Sequence, residues 1–518
     1  MLRAAHRRLL AALVCATALA VFVPAQAAEP TITDGVIESF DGTKILYHLF
    51  LPADASASNR VPVILMTHGW GGSGQTTYDG DVKLLVDDGY AVLTWDQRGF
   101  GSSGGEANVD SQEFEVRDVQ ALISYAASRP EIQTDAPGDP RMGMLGGSYA
   151  GGIQLMTAAA DHRVDAIAPD IAWNDLPYAI FPRGINKLGW DLALYGLGTA
   201  TGTAAGIPAG ETGGLAFEIH KALIEGTVLN EVSPESVAWF DARSPKHYIN
   251  GTTLADGTPI PGIQAPTLLT QGTIDTLFNL NQAIYNQRQI AANGVPTKMI
   301  FFCGGHAIGG GTACQAADQG EYIDAAVLAW FDRYIRGNAS SDTGAAIDYQ
   351  LQDGTFASAS ALPTTAFPVS GSGTLVNTIV PTSGTPLQAG PAPDGFRIPV
   401  PVPPTAHLLG IPTATVSVTG VGPDAALFIK LIDLSSGEAI AIDDQVAPLR
   451  IKNLSDTAQT FTVDLTSVSW AVLPGHTIAV EVSPTSLDHS SIRTPFVAEV
   501  EMTVTVPFLG GGAVIGAG

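Results

Sequence analysis

Between Val63 and Arg336, short apolar runs alternate with longer amphipathic segments. This alternation constrains the fold strongly, because strands buried on both faces are continuously apolar and parallel neighbours must be joined by crossover helices. The pattern predicts a doubly wound, mostly parallel α/β sheet. Strands are expected at Val63 to Thr67, Ala91 to Trp95, Met142 to Leu145, Ala166 to Ile171, Thr267 to Thr270 and Lys298 to Phe302. Helices are expected between them. In Glu113 to Ser128, Val116, Val119, Leu122, Ile123 and Ala126 recur at helical spacing, and Asn279 stands where an N-cap would open a helix to Ala292.

Two changes of pattern divide the chain. Trp173 to Tyr248 separates two strands by far more than a usual connection and contains the Gly/Ala/Thr-rich stretch Gly196 to Gly214. It is expected to form a helical cap over the C-terminal edge of the sheet, the alternative being an ordinary surface insertion. After residue 345 the helical pattern stops and short alternating runs follow: Ala414 to Val418, Ala426 to Ile432, Phe461 to Leu465 and Thr477 to Val482. These predict an all-β sandwich closed by a strand at Phe496 to Val506. The expected organisation is an α/β domain over 28–344 with its cap at 173–248, a β-sandwich over 345–508 and a flexible Gly-rich tail, 509–518.

Residues 1–27 have the form of a secretory signal peptide: Arg3, Arg7 and Arg8, an apolar run from Leu9 to Val23, and Ala25-Gln26-Ala27 at the cleavage site. The apolar run falls short of the roughly 20 residues that cross a bilayer, so removal near Ala27 is expected rather than anchoring or stable membrane insertion. Export leaves Cys303 and Cys314, and an oxidising compartment favours pairing them. The formal net charge is −25, and loss of the leader's three arginines makes it more negative still. Nucleic acid and anionic membrane are therefore poor partners.

The chemistry concentrates around Ser148. The segment MGMLGGSYAGG places it after an apolar strand and before the helix-forming run Gln154 to Ala160. A nucleophile elbow needs this setting, because small flanking residues let a strained turn project the hydroxyl from the sheet. The Tyr149 N–H would then face the oxygen of a reacting carbonyl. Glycine is abundant in this chain, so the pentapeptide alone carries little. Its context carries more. MTHGWGGSG closes an earlier strand, where the Trp70 N–H would be a second oxyanion donor, and WDQRGFGSSGG closes the next. Asp275 in TQGTIDTLF and His306 in FFCGGHAIG follow the last two core strands, giving the order Ser, acid, His.

Each assignment has a rival. Asp170 or Asp175 would supply the acid from the strand after the nucleophile, and His68, His162, His220 and His247 compete with His306. His306 alone follows a terminal strand in a Gly-rich loop, while His68 suits a brace for the oxyanion loop. The histidines lack metal-ligand spacing, so no metal and no organic cofactor are expected.

Together these motifs resemble the family of Xaa-Pro dipeptidyl peptidases, cocaine esterase and related acyl esterases. The resemblance is carried by Gly147-Ser148-Tyr149 with Gly151, by Asp96-x-Arg98-Gly99-x-Gly101-x-Ser103, by Gly272-x-x-Asp275 and by Gly305-His306. Ala414 to Gly437 and Leu473-Pro474-Gly475-His476 are similar to the C-terminal jelly-roll domain of that family. The resemblance implies an α/β-hydrolase domain, a cap and a jelly-roll sandwich, acting on a small acyl ester or peptide. Two departures stand out. Family members often use a Tyr hydroxyl as second oxyanion donor where this chain has Trp70, and no acidic residues are identifiable for a dipeptide's amino terminus.

The expected activity is acyl transfer to Ser148, with His306 as general base, Asp275 orienting it, and Tyr149 and Trp70 stabilising the oxyanion. The cap aromatics Trp173, Tyr178, Phe181, Trp190 and Tyr195 suggest an apolar pocket. A rival of another class is a catalytically silent protein whose sandwich binds polysaccharide or a cell surface.

Overall fold

A computed structural model of the chain describes residues 29–514 apart from 203–212, 307–313, 315–318, 378–379, 381–382, 404, 436 and 511–512. The expected leader lies outside the described residues. Ten strands in chain order build most of the central sheet: β1 (Thr31–Glu38), β2 (Lys44–Leu51), β3 (Val63–Met66), β4 (Ala91–Trp95), β5 (Met142–Gly147), β6 (Ala166–Asp170), β7 (Thr267–Gly272), β8 (Thr297–Phe302), β9 (Ile347–Gln350) and β10 (Phe356–Ala359). They lie side by side as β1-β2-β4-β3-β5-β6-β7-β8-β9-β10. Neighbours from β4 to β9 are parallel, and antiparallel strands flank both ends.

Period two explains why the inner strands are apolar throughout. Ile64, Val92, Ala168, Leu268 and Ile300 face α1 (Gly80–Asp87) and α9 (Gln319–Tyr334), packing on Leu85, Trp330 and Phe331. Val63, Leu65, Leu93, Met144 and Ile167 point the other way, onto Val119 and Leu122 of α2 (Glu115–Ser128) and Leu155 and Met156 of α3 (Tyr149–Ala160). Because β3 to β8 run parallel, their C-terminal ends share one edge, and the loops after β3, β5, β7 and β8 converge there.

The described residues of the interval 173–248 are largely helical. They form α4 (Leu176–Ile180), α5 (Leu188–Gly202), α6 (Phe217–Ile224) and α7 (Pro234–Asp241), before α8 (Leu280–Ala292) returns to the sheet. Asn279 precedes α8 with extended backbone but makes no side-chain cap. The sequence pattern changes at 345, yet β9 and β10 still belong to the central sheet.

The C-terminal part forms two antiparallel sheets. One is built on Thr413–Val421 and Val497–Gly510, the other on Asp424–Ser435 and Thr477–Ser483. Along Val497–Gly510, Ala498, Val500, Met502, Val504 and Val506 are buried while Glu499 and Glu501 are exposed, the alternation of a strand with one face on a core. That core joins Val416 and Val500 of one sheet with Leu427 and Val480 of the other. In the expected tail, Leu509 and Gly510 continue this strand, and Ala513–Val514 pair with the open edge of β10, which offers unpaired backbone groups.

Candidate active site

Ser148 stands between β5 and α3 with φ 58° and ψ −119°, a left-handed backbone that side chains rarely adopt. The turn is tight enough to exclude side chains around it. A Cβ at Gly146 would sit 2.7 Å from Ala150 Cβ, and one at Gly151 would sit 2.6 Å from the Asp170 carbonyl oxygen. The Ser148 N–H donates to that same carbonyl at 2.9 Å, and the Ser148 carbonyl accepts from Gly151 and Gly152. Strain of this kind persists only where the surroundings impose it.

His306 follows β8, and its Nε2 lies 2.7 Å from Ser148 Oγ. Its Nδ1 lies 2.6 Å from Asp275 Oδ2, which also accepts from the His306 backbone N–H at 3.2 Å. Asp275 is fully buried, and its Oδ1 accepts from the N–H groups of Leu277 and Phe278 at 3.0 and 2.8 Å. With Nδ1 donating to this carboxylate, Nε2 is free to accept the serine proton; the tautomer follows from the partners. The structure thus brings Ser148, His306 and Asp275 together.

The rivals have other hydrogen-bond partners. Asp170 accepts from Thr270 Oγ1 at 2.6 Å, and burial pushes its carboxyl up to about 6. Asp175 accepts from the Tyr178 N–H at the start of α4. His162 contacts the Gly262 carbonyl, His220 the Tyr195 hydroxyl and His247 the Asp241 carboxylate. His68 is buried between two backbone groups: Nδ1 meets the Gly69 carbonyl at 2.8 Å and Nε2 accepts from the Gln97 N–H at 3.0 Å. Only neutral imidazole both donates and accepts, in keeping with a pKa that burial lowers. His68 therefore braces the loop that carries Trp70.

The WDQRGFGSSGG motif performs the same service. Asp96 accepts from the N–H groups of Gly74 and Ser102, both at 2.6 Å, tying the loop after β3 to the loop after β4. Arg98 forks onto Asp118 at 2.6 and 2.7 Å and reaches Asp41 at 3.0 Å. Both are structural. Tyr149, as first residue of α3, has a backbone N–H with no intrahelical acceptor. Trp70 packs its indole edge-on to Phe100 and Tyr149 and donates Nε1 to the Leu194 carbonyl of the cap. A Cβ at Gly69 would lie 3.9 Å from Ser148 Cβ, so this loop runs directly beside Ser148.

Ser148 opens into a cavity of about 110 Å³ between sheet and cap. Trp173, Phe181, Tyr195, Ile219, Leu223 and Phe240 supply much of its apolar wall. Of the five cap aromatics singled out in the sequence, Trp190 instead packs edge-on to His306 and donates to Thr276 Oγ1, and Tyr178 accepts from Asn281. Two polar residues in the lining were not foreseen, Asp191 and Asn186. Asp191 Oδ2 accepts from Asn186 Nδ2 at 3.1 Å, and burial pushes the carboxyl up to about 7. Cys303, directly after β8, is joined to Cys314 by a disulfide.

The sequence pattern of the X-Pro dipeptidyl-peptidase (S15 family) matches residues 41–308, more than half the chain. The quorum-quenching protein AidA of Acinetobacter baumannii (strain MDR-ZJ06) is 33% identical over 132 residues, 25% of this chain and 40% of that protein. An uncharacterized 31.7 kDa protein of Escherichia coli is 30% identical over 114 residues, 22% of this chain and 38% of that protein. The chain therefore spans about two fifths of the length of these curated relatives. The fold is similar to that of an alpha-amino acid ester hydrolase, with TM-score 0.70, 15% identity and coverage of 93% of this chain and 97% of that one. A CocE/NonD family hydrolase from Staphylococcus aureus gives TM-score 0.63 and 14% identity over 93% of this chain and 94% of that one.

Proposed function

The chain belongs to the X-Pro dipeptidyl-peptidase (S15) family, and from that premise we propose that it is an extracytoplasmic serine hydrolase that cleaves carboxylic esters with a compact apolar acyl group. The observation that carries this reading is the alignment of Ser148 Oγ, His306 Nε2 and Asp275 on one hydrogen-bonded line at the mouth of an apolar cavity. His306 takes the proton as Ser148 Oγ attacks the carbonyl carbon, and the oxyanion is held by the Tyr149 and Trp70 N–H groups. The imidazolium returns that proton to the departing alcohol. Water, deprotonated by the same nitrogen, then releases the acid from the acyl enzyme. The Cys303–Cys314 disulfide accords with an oxidising location.

Asp191 favours a second reading. A buried carboxyl pushed up to about 7 would be recharged by a substrate ammonium placed against it, which suits an aminoacyl ester or an Xaa-Pro dipeptidyl amide. Turnover of a short-chain p-nitrophenyl ester beside a Gly-Pro p-nitroanilide, each with a Ser148→Ala control, separates the two. Ester cleavage alone, unaffected by Asp191→Asn, supports the first; amide cleavage lost in Asp191→Asn supports the second. A well-folded Ser148→Ala protein with full activity overturns both, and silence on both substrates returns the binding-protein alternative.

A further inference from the structure

The loop that carries Asp275 is gripped by residues distant in sequence. From the cap, Lys187 Nζ donates to the carbonyls of Thr276 and Leu277 at 2.7 and 3.0 Å. From the sandwich, Gln445 Nε2 donates to the carbonyl of Asp275 itself at 2.8 Å and reaches that of Thr273 at 3.3 Å. Ile274, the residue before Asp275, packs into the sandwich's own apolar core among residues such as Leu427 and Val480. The Thr276 hydroxyl donates to the Leu387 carbonyl of the sandwich at 2.5 Å.

Gln445 is itself held in an unusual setting. Asp443 and Asp444, the two residues before it, both have φ of 55°, and both are buried. Two successive side-chain-bearing residues in the left-handed region constitute local strain, which tends to be retained where it presents a functional group. The turn is pinned on both sides: Asp443 Oδ2 accepts from the Ser469 N–H at 2.8 Å, and the Asp444 carbonyl accepts from the Ala389 N–H at 3.1 Å. Its outcome is one amide donor aimed at the backbone of the acid.

We propose that Gln445 is a positioning residue for the hydrolase, so that the β-sandwich completes the active site by fixing the backbone of Asp275 and, through its carboxylate, the His306 imidazole. This rests on the reading of Ser148, His306 and Asp275 as the catalytic set. The carboxylate is two bonds from the backbone that Gln445 holds, and a displacement of about 1 Å at such a group is enough to cost about a hundredfold in rate. Binding in the apolar cavity involves other residues, so the effect belongs in kcat rather than KM.

The test uses the full-length protein with Gln445→Met, which keeps the side-chain volume and removes the donor. Tyr285→Phe serves as control, since it removes a different contact with the sandwich, the 2.6 Å hydrogen bond that the Tyr285 hydroxyl on α8 donates to Asp464. Expected for Gln445→Met is a kcat lower by at least about tenfold with KM within about twofold, together with a shifted downfield proton resonance of the His306–Asp275 hydrogen bond. Tyr285→Phe should retain kcat. Wild-type kcat and an unmoved resonance in Gln445→Met overturn the inference, as does an equal loss in both variants, which would mark general loosening of the interface. Should Gln445→Met not fold, Gln445→Glu, of the same length but without the donor at neutral pH, takes its place with the same readouts. Full activity of Ser148→Ala would instead remove the catalytic reading on which the inference stands.

Discussion

Gly305 leaves no room for a side chain against Asp275: a Cβ built at 305 would stand 2.4 Å from Asp275 Cβ and 2.8 Å from its Oδ2, and the φ of 115° lies where side chains are disfavoured. The neighbouring contact is as close, since a Cβ at Gly272 would meet the Gly304 carbonyl oxygen at 2.1 Å. The acid and histidine loops touch backbone to backbone. Glycine at these positions is therefore a condition for the 2.6 Å contact between His306 and Asp275.

Gly305→Ala should separate the two loops and lower kcat by about a hundredfold, the cost expected for a shift of about 1 Å in a catalytic group. Steady-state kinetics on a p-nitrophenyl ester would check this. Unchanged kcat in a folded variant would show that the loops tolerate separation.

Ser148 has a strained backbone, and that gives a prediction about stability rather than rate. Its left-handed backbone costs a side-chain-bearing residue about 1–3 kcal/mol. Glycine relieves this cost, while alanine keeps it and loses the hydrogen bond to His306. Thermal melts should therefore rank Ser148→Gly above wild type and Ser148→Ala at or below it, with neither variant active. A lower Tm for Ser148→Gly than for Ser148→Ala would refute the strain.

Asp170 and Asp275 are separable by both activity and pH. Asp275→Asn should lower kcat by about ten-thousandfold through the wrong imidazole tautomer, whereas Asp170→Asn should keep most of it. Burial raises the Asp170 carboxyl to about 6, above its unfolded value near 4. The folded state then holds this proton more tightly than the unfolded state. Stability from this group is fully present below about pH 4 and is lost as pH rises through about 6. The Tm advantage of Asp170→Asn over wild type should accordingly appear across that window and hold steady above it, worth at most about 3 kcal/mol. Parallel Tm–pH curves for the two proteins would contradict it.

The sheet edge that holds the proposed catalytic residues was legible because its determinants are local. Each of Ser148, Asp275 and His306 follows an apolar strand directly, and parallel strands bring such positions to one edge whatever lies between them. The glycines at 146, 151, 272 and 305 signalled close approaches that side-chain-bearing residues would forbid. The sandwich contribution was not legible, since Gln445 lies 170 residues from Asp275 and nothing in its neighbourhood marks it as facing the sheet. Asp191 and Asn186 were missed for a similar reason: the cap's helices are apolar on several sides, so periodicity does not say which face lines the cavity. The strands β9 and β10 were obscured by their shortness, four residues each, beside a long change in composition.

The disulfide tests how firmly the histidine loop must be held. Cys303 directly follows β8, three positions before His306, is almost fully buried, and donates its N–H to Gln350 Oε1 at 2.8 Å. Its partner Cys314 packs against the sandwich core, so the bond ties the strand that delivers His306 to the second domain. Closing a loop of 11 residues in the unfolded chain stabilises the fold by about 3 kcal/mol in the chain-entropy model. Cys314→Ser should therefore lower Tm clearly, and dithiothreitol should lower the Tm of wild type toward that of the variant while leaving the variant unmoved. If His306 depends on this tether, kcat of Cys314→Ser at 25 °C should also fall several-fold with KM retained. A variant with reduced Tm but full kcat would assign the bond to stability alone, leaving Asp275 and Gly305 sufficient to orient the imidazole.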